Sequence, residues 1–251
     1  MRVILGISYD GKDFCGWQIQ PNGRTVQQVI EDALLKLTGE KCSITGSGRT
    51  DSGVHALCQI AHFDTSSSIP AEKYAFALNG ILPSDVQVLF SMKAKDDFHA
   101  RFGAKKKTYR YTFYQSEVKL PLLEPYAQRI EKVDFKKMQE GAKYIVGTHD
   151  FKCFLASNSS VKDTVRTVYS CKLTKKGNQI ILEICGNGFL YNMVRPIAGT
   201  LLYVGEGKFE PEQIKSIIEG KERALAGKTM PAKGLMLKNV CYKGVKFPKI
   251  Y

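Results

Sequence analysis

Gly46-Ser-Gly-Arg49-Thr50-Asp51-Ser52-Gly53-Val54-His55-Ala56 is the stretch on which the reading of this chain turns. Its eleven positions hold three glycines, a guanidinium, a carboxylate and an imidazole. That is too polar for a core strand and too rich in glycine for a helix. Glycine serves where a backbone takes unusual angles or approaches a ligand closely. The stretch reads as a shaped loop holding one carboxylate, Asp51. The plainer alternative is a polar surface turn, since Gly and Asp dominate ordinary turns.

Outward from the loop the pattern is regular. Before it, Val3-Ile-Leu-Gly-Ile7 is a buried strand. A helix opens at Thr25, where Thr25 and Gln28 fit a capping box. Val26, Ile30, Ala33, Leu34 and Leu37 form its apolar stripe, and Gly39 ends it. Residues 42–45 read as a short strand. After the loop come a strand over 56–64, a helix over 71–79 and a strand over 86–92. The order is β-α-β-β-α-β, the ferredoxin-like arrangement, with the loop between the two middle strands.

The second half repeats that order without repeating residues. Strands are expected at 108–114, 164–174, 179–185 and 235–242, and helices at 134–146, 189–203 and 211–219. The fold class is therefore α+β. Two ferredoxin- or RRM-like halves, 1–104 and 105–251, would join a mixed, mainly antiparallel sheet with a central active-site cleft.

The 251 residues suffice for a sizeable core. Lys and Arg exceed Asp and Glu by 37 to 24, a formal charge of +13, which suits a polyanionic partner such as nucleic acid. No apolar run approaches the roughly 20 residues that span a bilayer, and no signal-peptide layout precedes the first strand, so a cytoplasmic protein without membrane contact is expected. Seven cysteines, none at Cys-x-x-Cys spacing, argue against a disulfide framework or a zinc site.

Asp51 could be a nucleophile, a base, a metal ligand or a turn former. No second cluster at ligand spacing supports a metal. Gly46-Ser-Gly48 lacks the lysine of a phosphate-cradling loop. Phe98-His-Ala-Arg-Phe102 interleaves basic and aromatic residues, as nucleic-acid contacts and packed loops both do. In Gly186-Asn-Gly-Phe-Leu-Tyr-Asn-Met-Val-Arg195-Pro196, Arg195 falls on the apolar side of the expected helix, beside Tyr191, Val194 and Ala198. A buried arginine needs a carboxylate, and Asp51 is the natural candidate; otherwise its stem snorkels to water.

These motifs together resemble the TruA family of tRNA pseudouridine synthases. The resemblance rests on Tyr9-Asp-Gly, Phe14-Cys-Gly-Trp17-Gln-Ile-Gln-Pro-Asn-Gly-Arg24, Gly48-Arg-Thr-Asp51-Ser-Gly-Val-His-Ala56, Asp97-Phe-His-Ala-Arg-Phe102, Lys107-Thr-Tyr109-Arg-Tyr111, Gly147-Thr-His-Asp-Phe151, Gly188-Phe-Leu-Tyr-Asn-Met-Val-Arg195 and Gly234-Leu-Met-Leu237. It implies isomerisation of uridine to pseudouridine at positions 38, 39 and 40 of the tRNA anticodon stem-loop, with no cofactor or metal, by a homodimer holding one tRNA across both subunits. It further implies that Asp51 is catalytic, Tyr109 stacks on the base, Arg195 pairs with Asp51, Arg49 helps extrude the uridine, and Leu235 or Leu237 walls the pocket. Two other readings remain open at this level. One is a non-catalytic RNA-binding protein with tandem RRM-like sheets, which would not need Asp51. The other is a nucleoside glycosidase, although that chemistry mostly uses two carboxylates and one is found.

Overall fold

A computed structural model describes residues 1–156 and 161–248. The chain forms two compact units, one of Met1–Lys105 together with the segment from Leu237 onward, the other of Lys106–Met236.

In the first unit β1 (Arg2–Tyr9) lies at the centre. It pairs antiparallel with β3 (His55–Asp64) on one side and β4 (Val86–Lys93) on the other. Because both edges and both faces of β1 are occupied, Val3, Ile4, Leu5 and Ile7 are all buried, which explains an unbroken apolar run where a half-exposed strand would alternate. Helix α1 (Val26–Thr38) covers the sheet with Val26, Ile30, Ala33 and Leu34. Thr25 caps it by accepting the Gln28 amide, and Gly39 closes it in a left-handed conformation, as the capping signals predict. The expected strand at 42–45 is reduced to β2 (Thr45–Gly46), two residues paired with His62 and Ala61. The expected helix at 71–79 is a 3-10 turn, Ala71–Lys73, running into α2 (Tyr74–Asn79).

The second unit is built on β5 (Ala104–Gln115), longer than expected at its basic start. Two short strands had no sequence signal: β6 (Gln128–Ile130), parallel to β5, and β7 (Gly147–Asp150). Helix α3 (Phe135–Lys143) is capped by Asp134. Strands β8 (Val165–Lys176) and β9 (Gln179–Gly186) form a hairpin, and the order across the unit is β5-β9-β8-β7, all antiparallel. Tyr111, Phe113, Leu182 and Ile184 are fully buried in the same core as Met138 of α3.

Helix α4 (Val194–Gly205) begins five residues later than the apolar periodicity indicates. Asn192 takes φ 63°, outside the helical region, and residues 191–193 form a turn. Pro196 is the signal that settles this start. Seven residues inside a helix its ring would clash with the preceding turn, whereas in the first turn its missing N–H leaves nothing unsatisfied. Helix α5 (Gln213–Gly220) follows, and then β10 (Leu235–Tyr242). Strand β10 starts in the second unit and ends in the first, where it neighbours β3 in the order β4-β1-β3-β10. The fold is thus α+β with a mixed, mainly antiparallel strand arrangement. All seven cysteines are free; burial pushes the Cys153 and Cys171 thiols up to about 12.

Candidate active site

The Asp51 turn is held from several directions. Gly53 has φ 76°, a left-handed conformation that favours glycine, and its amide donates to Phe14 O at 3.2 Å. The Val54 amide donates back to Asp51 O at 3.1 Å and closes the turn. From the segment after β1, the Trp17 amide donates to Thr50 O at 3.0 Å, and the Ser52 hydroxyl donates to Phe14 O at 3.2 Å. Of the three glycines in the loop, Gly53 takes a left-handed conformation and Gly46 and Gly48 do not.

His55 is buried, and its Nδ1 accepts the Gly11 amide at 3.0 Å. Asp10 Oδ1 lies at 3.0 Å from the same nitrogen. His55 therefore braces the base of the turn, joining it to the end of β1. Asp51 itself is half-buried, while Arg49 is exposed. Among the described residues Arg49 has no hydrogen-bond or ion-pair partner, so its guanidinium is available to a ligand.

In the second unit Tyr109 lies on β5 opposite Ile184 of β9. It is 9% exposed, and its ring meets Phe189 edge-on with centroids 5.2 Å apart. Phe189 thus fixes the orientation of the tyrosine ring. Arg195 is the second residue of α4 and half-buried. Its Nε donates to Met230 O at 2.6 Å and its Nη1 to Asn192 Oδ1 at 2.8 Å. The left-handed Asn192 therefore has a use, since it brings its side-chain oxygen onto the guanidinium of Arg195. These two bonds orient the fork and leave Nη2 uncommitted by them. The guanidinium charge also acts on Tyr111, whose phenol is raised by burial and pulled back in part by Arg195. Leu235, the first residue of β10, is 4% exposed, and Leu237 is fully buried.

Tyr191, expected beside Arg195 on one helix face, precedes the helix and is 51% exposed. The Phe98–Phe102 motif divides. His99 Nδ1 accepts the Arg101 and Phe102 amides, Phe98 packs on Tyr242, and Phe102 is 77% exposed with the Arg101 guanidinium 5.8 Å from its ring.

Comparison with known proteins adds the decisive observation. A family model described as tRNA pseudouridine synthase matches residues 7–103 and 142–243. The chain is 48% identical over 242 residues to tRNA pseudouridine synthase A of Caldicellulosiruptor bescii, covering 96% of this chain and 99% of that protein. It is 47% identical over 245 residues to the protein of the same name in Bacillus subtilis strain 168, with the same coverage. The chain belongs to the tRNA pseudouridine synthase family. Among solved structures it resembles a chain in the crystal structure of a Cbf5-Nop10-Gar1 complex at TM-score 0.38 and 13% identity, over 94% of this chain and 48% of that one. That likeness is too slight to bear on function. Membership in a family named for an enzyme does not favour the non-catalytic RNA-binding reading.

Within the family frame, sequence reasoning singled out the Asp51 loop, Tyr109 and Arg195. It did not find the supports: Tyr9 and Trp17 beneath the loop, Phe189 against Tyr109, and Asn192 on Arg195. The Tyr9-Asp-Gly and Phe14-Cys-Gly-Trp motifs were the available signal.

Proposed function

We propose that this protein converts uridine to pseudouridine in tRNA, at positions 38, 39 and 40 of the anticodon stem-loop, with Asp51 as the reacting carboxylate. Near full-length similarity to tRNA pseudouridine synthases carries this reading. The braced turn that holds Asp51 supports it. The reaction breaks the C1′–N1 bond, turns the uracil and makes a C1′–C5 bond. N1 gains a proton and C5 loses one, so nothing is consumed overall and no cofactor or metal is called for. Asp51 acts on the sugar or base in its ionised form, as nucleophile or as general base.

Each other residue has a task in this reading. Tyr109, its ring fixed by Phe189, stacks on the uracil so that the detached base stays in place; stacking of this kind is worth about 1–3 kcal/mol per base. Arg195, oriented by Met230 O and Asn192, directs its guanidinium to Asp51 and favours the charged carboxylate. Leu235 supplies an apolar wall. Arg49 reaches the RNA while the uridine is unstacked, a step that costs a few kcal/mol. The +13 charge meets the phosphate backbone. The working form is a homodimer in the cytoplasm, with one tRNA held across both subunits.

The test is pseudouridine mapping in tRNA from cells lacking the protein, complemented with wild type, Asp51→Ala or Asp51→Asn. Wild type restores the modification. Both variants bind tRNA within a few fold of wild type and restore none. Modification restored by Asp51→Ala would remove Asp51 from its role, and free uracil in the purified reaction would point to glycosidase chemistry instead.

A further inference from the structure

Beneath the Asp51 turn lies a line of buried polar side chains that the uridine chemistry does not itself require. Tyr9, the last residue of β1, is 4% exposed, and its hydroxyl stands 2.8 Å from Thr50 Oγ1. Thr50 immediately precedes Asp51 and is itself buried. Gln59 of β3 is fully buried and bonds the Tyr9 hydroxyl. Its Nε2 donates to Gly48 O at 2.8 Å, and its Oε1 receives the Ser47 hydroxyl. Thr50 is gripped from the other side as well, since its carbonyl accepts the Trp17 amide. The Trp17 ring stands 6.1 Å from that of Tyr9.

The backbone is irregular at this point. Pairing between β1 and β3 slips by one residue between Ile7 and Tyr9, and the Ser8 hydroxyl bonds Ala56 O at 3.0 Å across the slip. Bulges of this kind re-aim a side chain, and they concentrate beside active sites. Here the slip coincides with the residue whose hydroxyl reaches the loop.

We propose that Tyr9 is a positioning residue for the reaction: through Thr50, its hydroxyl sets the height and rotation of the Asp51 carboxylate. This rests on Asp51 being the reacting group. Burial raises the Tyr9 phenol well above its ordinary value, and the Asp51 charge adds to that rise, so the hydroxyl keeps its proton and the bond to Thr50 persists across the working pH range. The carboxylate must meet an atom of the nucleotide at near-attack distance. A displacement of about 1 Å at such a group costs on the order of a hundredfold in rate. A tyrosine that merely filled the core would affect melting and leave the rate alone.

The experiment measures single-turnover pseudouridine formation, tRNA affinity and thermal midpoint for five variants: Tyr9→Phe, Thr50→Val, Thr50→Ser, the Tyr9→Phe/Thr50→Val double and Asp51→Ala. Tyr9→Phe and Thr50→Val each lower the rate constant about 10- to 100-fold, with tRNA affinity changed by no more than about twofold. Thr50→Ser keeps the hydroxyl and stays within about twofold of wild type, and the double variant loses no more than the larger of the two singles, because both singles remove the same Tyr9–Thr50 bond. A wild-type rate in Tyr9→Phe overturns the proposal. So do single losses that multiply in the double, or a rate that falls only in proportion to the melting temperature. If Tyr9→Phe does not fold, the contrast of Thr50→Val with Thr50→Ser decides alone. Activity in Asp51→Ala removes the assignment of Asp51, whereas a dead Asp51→Ala beside a full-speed Tyr9→Phe removes only the positioning role.

Discussion

Gly11→Ala tests whether the Asp51 turn depends on its contact with the end of β1. A Cβ at Gly11 would stand 2.0 Å from Val54 O, 2.5 Å from Val54 C and 3.1 Å from His55 N. Real Cβ atoms essentially never lie closer than 3.0 Å, so backbone on one side must retreat by about 1 Å. Val54 is 1% exposed and has no room to swing outward. Its amide is bonded to Asp51 O at 3.1 Å, and the Gly11 amide holds His55 at 3.0 Å, so the displacement passes into the turn. Overpacking of this size costs about 1–3 kcal/mol of stability. At about 2–4 °C per kcal/mol for a chain of this length, the melting temperature falls by roughly 2–12 °C. The effect on chemistry is larger in proportion, since a 1 Å error at the carboxylate lowers the single-turnover rate about a hundredfold. Gly39→Ala is the control. Gly39 has φ 74°, with nothing within 4 Å of the added carbon, so the substitution strains the end of α1 by about 1–2 kcal/mol without touching the loop. It should lower melting and spare the rate. A Gly11→Ala enzyme that forms pseudouridine at the wild-type rate, or a Gly39→Ala enzyme that loses as much, would refute the reasoning.

Three further outcomes are expected. Arg195→Lys keeps the charge but loses the planar fork that bonds Met230 O and Asn192 together, so most activity is lost in a turnover assay while tRNA affinity stays within a few fold; a wild-type rate contradicts the pairing role. His62 is buried; burial first, then the charges of Arg2 and His99, outweigh the Asp64 charge and a hydrogen bond to the Thr45 backbone and lower its pKa to about 4. It is therefore neutral when folded, and its contribution is fully present above the unfolded value near 6.5. About 3 kcal/mol is lost as pH falls from there towards 4, and in urea titrations at pH 7 and pH 4.5 the His62→Gln variant should lose less than wild type. Arg49→Ala leaves melting unchanged, because the side chain is exposed, and it reduces the slope of log affinity for tRNA against log salt by about 1; an unaltered slope excludes a phosphate contact.

The sequence was most legible where burial and periodicity agree. β1, α1 and β10 stand close to where their patterns place them, because an unbroken apolar run, a capped stripe and an alternating run each have one physical reading. It was least legible where a pattern continued past its element. Leu190, Met193 and Val194 keep helical spacing although Asn192 interrupts the helix, and only Pro196 marks the true start. The strands β6 and β7 are three and four residues long and mostly polar, too short to alternate. At the candidate site, Asp51, Tyr109 and Arg195 stood out by residue type and setting, and the resemblance supplied the roles proposed for them. Tyr9, Gln59 and Phe189 did not stand out, because a supporting side chain looks like any other core residue until its partner is known.

That β10 closes the first unit has a consequence during synthesis. Residues 1–105 leave the ribosome with β1, β3 and β4 in hand, but the strand that neighbours β3 is translated about 130 residues later. At about 5–20 residues per second the nascent chain waits roughly 6 to 26 seconds for it. Throughout that interval the part of this edge of β3 that two-residue β2 does not cover stays open, the kind of surface that recruits stray strands. The second unit, contiguous from Lys106 to Met236, carries no such delay. The half that bears Asp51 is thus begun first and completed last.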